Sequence, residues 1–278
     1  MRKNDKVRVV DQDEAEGLRP APLNLDILFE DEDLIVVNKP PGLVVHPGAG
    51  ETGVTLVEAL LHRTGAGGRD FESERPGVVH RLDKDTSGVI VWAKSPTACA
   101  FLAEQFKKKT NKREYFALVD GAYEREAQVV ESYLHRDPRN RLRYKAISIE
   151  EFDKDHRSSA GYRYAKSQMQ AVALYSHRFS LLKIILSTGR THQIRVHCHY
   201  QGVPILGDPL YGKKNTLPKI FPSEVHRAVA GLTRQMLHAA TLGFFHPKTQ
   251  EFMEFKAPFP EDFSNLLGIL SPYKTEEI

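Results

Sequence analysis

Residues 78–94 read VVHRLDKDTSGVIVWAK. Two β-branched runs, Val78-Val79 and Val89-Ile90-Val91, bracket a segment holding His80, Arg81, Asp83, Lys84 and Asp85. If the first run is a strand ending at Asp83, a period of two puts Arg81 and Asp83 on one face and His80 and Leu82 on the other. Leu82 then anchors the strand end, and Asp83 is presented from it. A carboxylate so placed can act as a nucleophile or a base. Asp85 reads differently, because aspartate, threonine and serine satisfy backbone donors in tight turns and DKDTSG has that composition. A turn role for Asp83 as well would leave Arg81 and the strand-end position unexplained.

Metal chemistry is the first rival. His192, His197 and His199 fall close together in THQIRVHCH. On a helix His192 and His199 share a face but lie roughly 10 Å apart along the axis, while His197 and His199 diverge. The chain has no CxxC and no HExxH. Asp83 and Asp85 could form a nuclease-type metal pair, but no third acidic ligand stands at a recognisable spacing. No metal and no cofactor are expected.

Cations are distributed unevenly. KKKTNKR at 107–113 contains Lys107, Lys108, Lys109, Lys112 and Arg113, and RDPRNRLRYK at 136–145 lies between Tyr133 and Tyr144, which it includes. The net charge is only +3, so overall electrostatics alone do not call for a polyanion. Two readings stand: solvated faces, with lysines completing a helix dipole, or cations and aromatics arranged for a single-stranded nucleic acid.

Positioning such groups needs a sizeable core, and 278 residues with 41% apolar and 27% charged side chains supply it without staples. No uncharged run is long enough to span a membrane. The start lacks a secretory or transit signature, and the two cysteines, Cys99 and Cys198, suit a reducing compartment, so a cytoplasmic protein is expected. Residues 1–22 read as a flexible polar leader, 23–273 as one catalytic domain and 274–278 as a tail. DILFEDEDLIVVNK predicts a hairpin, TLVEALLHR a helix capped by Thr55, SPTACAFLAEQFKKK a helix capped by Ser95 with Pro96 first, and REYFALVDG a strand. MQAVALYS and FSLLKIILST predict a second hairpin, THQIRVHCHYQG a helix ended by Gly202, and LHAATLGFF and FMEFKAPF late strands. On the REYFALV strand Tyr115 shares a face with Arg113 and Ala117. This order is not a regular βαβ alternation, and it predicts an α+β fold: a mixed, mainly antiparallel central sheet with flanking helices.

HRLDKDTSG, KREY at 112–115 and TGRTHQIRVH at 188–197, in this order, closely resemble the large-subunit ribosomal RNA branch of the pseudouridine synthases. The likeness runs from NLDILFEDEDLIVVNKPPGLVVHPG to LHAATLGFFHP. It implies a cleft across the middle of the sheet, Asp83 as the catalytic aspartate, Tyr115 against the target uracil, and Arg195 as the partner that holds Asp83, for which a two-point fork would be suited. It also implies that Arg81 fills the space left by a flipped base. The lysine cluster with Arg113 could then grip flanking phosphates. Moving a uracil from N1 to C5 on one sugar carbon involves no net redox change, so a carboxylate, an aromatic face and exclusion of water suffice. The expected partner is RNA, ribosomal or transfer, and the expected state a monomer. Many relatives carry a small helical RNA-binding domain in front; here about twenty polar residues precede the first strand, too few for a core. Two other readings stay open, a non-catalytic RNA-binding or ribosome-assembly module on the same fold and a metal-dependent RNA hydrolase.

Overall fold

The computed structural model describes residues 18–48, 53–65, 75–124, 127–154, 160–213 and 217–276. β1 (Asp26–Glu30) and β2 (Leu34–Lys39) form the first hairpin. Its turn is closed by Asp31, whose Oδ1 accepts the N–H groups of Asp33 and Leu34 at 2.8 and 2.9 Å. The remaining strands are β3 (Ser87–Ala93), β4 (Lys112–Asp120), β5 (Gln128–Arg136), β6 (Tyr144–Ile147), β7 (Arg163–Tyr175), β8 (Phe179–Leu186), β9 (Leu237–Phe245), β10 (Phe252–Lys256) and β11 (Lys274–Glu276). They join in one sheet ordered β1-β2-β3-β9-β4-β8-β7-β5-β6, with β10 on β9 and β11 on β7. Every pairing is antiparallel except β3 with β9. The mixed, mainly antiparallel α+β architecture is therefore the one expected.

The apolar runs of β2 and β3 are continuous because both faces are covered. Ile35, Val37, Ile90 and Trp92 belong to the larger core with Leu56, Leu60 and Leu61 of α1 (Leu56–Thr64). Leu34, Val36, Val89 and Val91 pack instead with Ala98 and Leu102 of α2 (Pro96–Lys108). Both helices start where their caps predict. Thr55 and Glu58 form a reciprocal capping box, and Ser95 Oγ accepts from the Ala98 N–H at 3.2 Å with Pro96 in the first turn. α2 ends where Lys109 turns left-handed at φ 61°. Short α3 (Ile149–Lys154) follows β6, α4 (Gln193–Tyr200) follows β8, and α5 (Ser223–Ala230) and α6 (Glu261–Leu270) flank the last strands. Among the described residues no helix is long and apolar enough to cross a membrane.

Three expectations are corrected. Residues 78–83 are not a strand: Val78 makes an isolated bridge to Trp92, and the chain from 79 to 86 is irregular. Past Gly88, the side of β3 away from β2 meets this segment rather than a strand, with Ala93 N–H donating to Gly77 O at 3.0 Å and Val91 N–H to His80 Nε2 at 3.2 Å. A side chain has taken the place of a ladder carbonyl, so the strand pattern was broken by its own histidine. Lys274–Glu276, expected as tail, instead form β11 on the edge of β7. The end of the expected leader is docked, since Arg19 and Ala21 donate backbone N–H groups to Glu58 of α1; residues 1–17 lie outside the described residues.

Candidate active site

A cleft of about 470 Å³ opens over the middle of the sheet. Tyr115 of β4, Leu186 at the end of β8 and Leu237 at the start of β9 contribute to its lining. The irregular 79–86 segment, the end of α2 and the 189–192 loop leading into α4 complete it. Among the described residues Asp83 is the carboxylate that lines this cleft; Asp85 does not.

Asp83 opens a turn closed by the Thr86 N–H on its carbonyl at 3.0 Å. The expected side-chain turn does not close it. Thr86 Oγ1 accepts from Gln235 Nε2 at 3.2 Å and Ser87 Oγ meets His238 Nδ1 at 2.9 Å, so both hydroxyls tie the turn to the start of β9. Gly88 lets the two strands approach, because an added Cβ would lie 2.1 Å from Ala239 O and its φ is +115°. Beneath the turn, Lys39 is fully buried and its amine donates to the carbonyls of Pro40, Leu43 and Lys84 at 2.8, 2.9 and 2.8 Å. Burial draws its pKa down to about 7 against the pull of Asp85 and Asp83. Arg234, forked on Asp262, donates to the Asp85 carbonyl at 3.1 Å. Backbone carbonyls of the turn are thus met by the buried side chains of Lys39 and Arg234, which hold the segment that carries Asp83.

Arg195 and Asp83 are brought together, with Nη1 donating to Oδ2 at 3.0 Å. The two-point grip, however, falls on another residue. Nε and Nη2 of Arg195 donate to Asp208 at 2.7 and 2.9 Å, so Asp83 is held by Nη1 alone. The Asp208 side chain is 0% exposed and that of Asp83 is 22% exposed, so the inner carboxylate neutralises the guanidinium while the outer one faces the cleft. Asp208 Oδ1 also accepts the N–H groups of Leu210 and Tyr211, both at 2.9 Å. Burial opposes the charge on Arg195, but Asp208 and then Asp83 outweigh it and raise its pKa.

His192 precedes α4 in a left-handed conformation, φ 56°. Its Nδ1 lies 3.0 Å from the Tyr211 hydroxyl and its Nε2 4.0 Å from Asp83. Burial lowers its pKa against the attraction of Asp83, which favours the neutral ring. His197 is buried between the hydroxyls of Ser132 and Ser167, and His199 Nδ1 faces the Tyr211 carbonyl, so the three histidines do not converge. A metal-like grouping of Asp31, Asp33 and His246 does occur among the described residues, at the β1–β2 turn, away from the cleft lining. There His246 is engaged with Asp31 at 2.7 Å.

Tyr115 is 7% exposed and faces the cleft with Arg113, the alternation expected for β4. Burial raises its pKa, with Arg113 opposing and Asp83 adding, so it remains a phenol. Arg81 is exposed at the mouth. The cations of the cluster stand in different surroundings. Lys107 lines the cleft, Lys107 and Lys108 each lie 3.5 Å from Glu104, and the Lys109 amine is 6.0 Å from the Tyr164 ring. Lys112 turns to the other face of β4 and pairs with Glu254 at 2.7 Å.

Lys39, Asp208 and Arg234 were not found from sequence. Asp208 stands in GDPLYG, which signals a turn and nothing about Arg195. Lys39 ends an apolar run before Pro40-Pro41-Gly42, a hint that it closes a strand, but its burial depends on carbonyls distant in the chain.

A buried carboxylate–arginine–carboxylate series over an aromatic floor, on a mixed sheet, defines a class. Residues 33–200 match the RNA pseudouridylate synthase family, and the chain belongs to it. Over 265 residues it is 38% identical to an uncharacterized RNA pseudouridine synthase, YlyB, of Bacillus subtilis, spanning 95% of this chain and 78% of that one. It is 43% identical over 251 residues to ribosomal large subunit pseudouridine synthase D of Xylella fastidiosa, 90% of this chain and 71% of that one. Among solved structures, human RNA pseudouridylate synthase domain containing 4 superposes with a TM-score of 0.66 at 24% identity, over 88% of this chain and 93% of that chain, a likeness of fold. The protein is thus an isomerase that converts uridine to pseudouridine.

Proposed function

We propose that the protein isomerises a uridine of large-subunit ribosomal RNA, with Asp83 as the reacting carboxylate. The observation carrying this is the series Asp208–Arg195–Asp83: an inner ion pair that holds one N–H on a cleft-facing carboxylate. Held by that N–H and aimed into the cleft, Asp83 serves either route to the product, attack at the sugar carbon or removal of a sugar proton. The C1′–N1 bond breaks, the uracil turns on the Tyr115 ring, a C1′–C5 bond forms, and the proton lost from C5 is balanced by one taken up at N1. The same ring favours a base taken out of its helix, and Arg81 at the mouth fills the space it leaves. Lys107, Lys108 and Lys109 serve neighbouring phosphates. The ribosomal target is supported by the names of the relatives, and transfer RNA is the second RNA class to assay. One chain supplies the whole cleft, which suits a monomer, and the two free cysteines suit the cytoplasm.

The test is Asp83→Asn, which keeps shape and removes charge. Pseudouridine mapping across ribosomal and transfer RNA with wild type should reveal modified positions that vanish with the variant, while folding and RNA binding persist. Product formation by the variant at near wild-type rate removes Asp83 from the reaction.

A further inference from the structure

The proposed reaction gives Arg113, read from the sequence as part of a phosphate-gripping cluster, no task of its own in the cleft. Arg113, two residues before Tyr115 on β4, is 7% exposed and lines the cleft. Among the described residues no carboxylate pairs with it, and its buried Nε has no hydrogen-bond partner. Its contact is the Phe106 ring, 5.6 Å from the guanidinium carbon to the centroid. The other buried arginines near the reacting turn are forked on carboxylates, Arg195 on Asp208 and Arg234 on Asp262. A buried charge without a counter-ion is costly, so its place in a substrate cleft calls for an anion that arrives with the ligand. The neighbouring loop leaves room for the guanidinium itself. A Cβ added at Gly189 would lie 2.7 Å from Arg113 Nη1, so the glycine leaves the guanidinium the space it occupies. Next to that glycine, Arg190 brings a second cation to the same lining, with its Nε anchored on the Tyr164 carbonyl at 3.0 Å.

We propose that Arg113, kept in place by Gly189 and backed by Arg190, is the seat of one RNA backbone phosphate beside the target uridine. This rests on the cleft being the uridine site. A planar guanidinium suits a phosphodiester in two-point geometry, which the exposed lysines at the end of α2 do not reproduce. The seat distinguishes a uridine within a strand from a free nucleoside, because only the former brings the missing counter-ion.

The test uses protein labelled with ¹⁵N-arginine. The Nε–H signal of Arg113, assigned by its loss in Arg113→Lys, is followed during titration with hexauridylate, uridine 5′-monophosphate, inorganic phosphate and uridine. The expected result is a saturable shift with hexauridylate, a weaker one with the monophosphate and with phosphate, and none with uridine. Arg113→Gln should weaken hexauridylate binding roughly tenfold to a hundredfold, and a hexamer with uncharged methylphosphonate linkages should bind wild type and variant alike. Gly189→Ala, which changes no charge, should lower the affinity read from the Arg113 shift, so the assignment does not depend on the fold of the Gln variant. A signal that hexauridylate leaves unmoved, an equal response to uridine, or a monophosphate bound as tightly as the hexamer would overturn the strand-phosphate seat. Binding is read here without turnover, so failure of the catalytic reading leaves this result standing, and failure of the seat leaves pseudouridine formation standing.

Discussion

Arg195 donates two N–H groups to Asp208 and one to Asp83, so the residue that faces the cleft is the third acceptor of a guanidinium already neutralised from within. Arg195→Lys keeps the charge and loses the fork. The expected outcome is a fall in turnover much larger than the fall in RNA affinity, measured in single-turnover and binding assays. Equal losses in both would point to a phosphate contact instead. Asp208→Asn leaves a buried guanidinium without its main counter-ion and should cost about 3–5 kcal/mol of stability in urea melts. An unchanged midpoint would remove Asp208 from this role.

Acid should destabilise the fold through His197. Burial draws its pKa down to about 4, and its ring is enclosed by Ser132 and Ser167. Between that value and the ordinary pKa near 6.5 the unfolded chain binds the proton and the folded chain does not. Stability therefore falls as pH drops through this window, by up to about 1.4 kcal/mol per unit for one group. His197→Gln should flatten the urea-midpoint profile between pH 6.5 and 4. A profile as steep as wild type would assign the acid sensitivity elsewhere, with His80, drawn down to about 3 by burial and then by Arg113, as the next residue to change.

Tyr115 offers its ring to the cleft, and among the described residues its hydroxyl makes no hydrogen bond. Tyr115→Phe should therefore keep most RNA affinity and Tyr115→Leu should lose about 1–3 kcal/mol of it, the range for base stacking on an aromatic ring. Identical binding by both variants would exclude stacking.

The lysine cluster makes a divided prediction. Changing Lys107, Lys108 and Lys109 together to Gln should weaken RNA binding and flatten its salt dependence by roughly one to two units of slope if two of them meet phosphate. Lys112→Gln should leave that slope as it is, because Lys112 is on the other face of β4 with Glu254. A fixed slope in the triple variant would favour the helix-end role, since these lysines stand at the end of α2 and Lys107 and Lys108 lie against Glu104.

The legible parts of the fold were those with local causes. Thr55, Ser95 and Pro96 set helix starts through contacts within four residues, and the alternation of β4 put Arg113 and Tyr115 on one face. The resemblance supplied Asp83, Tyr115 and Arg195. What stayed hidden depends on distance along the chain. β5 and β6 were obscured by polar residues on their open faces, α5 and α6 lack side-chain caps, and the strand expected at 78–83 is displaced because His80 bonds the backbone of Val91. Lys39 could not be read as an internal scaffold, because its acceptors include a carbonyl 45 residues away.

The position of β9 has a consequence for biosynthesis. It lies between β3 and β4 although more than a hundred residues separate it from the end of β4, and the Asp83 turn hangs from its start through His238 and through Gln235 just before it. Chains emerge N-terminus first and fold as they emerge. For much of translation β4 presents an open ladder to whatever strand is near, β3 lacks its partner at Ser87 and Gly88, and the Asp83 turn has no support from Gln235 and His238. A nascent chain released before residue 237 should therefore be inert toward uridine and carry an adhesive edge on β4. Insoluble by-products of expression should accordingly be enriched in fragments that end before β9, and supplying chaperones during elongation should relieve them more than refolding the finished protein.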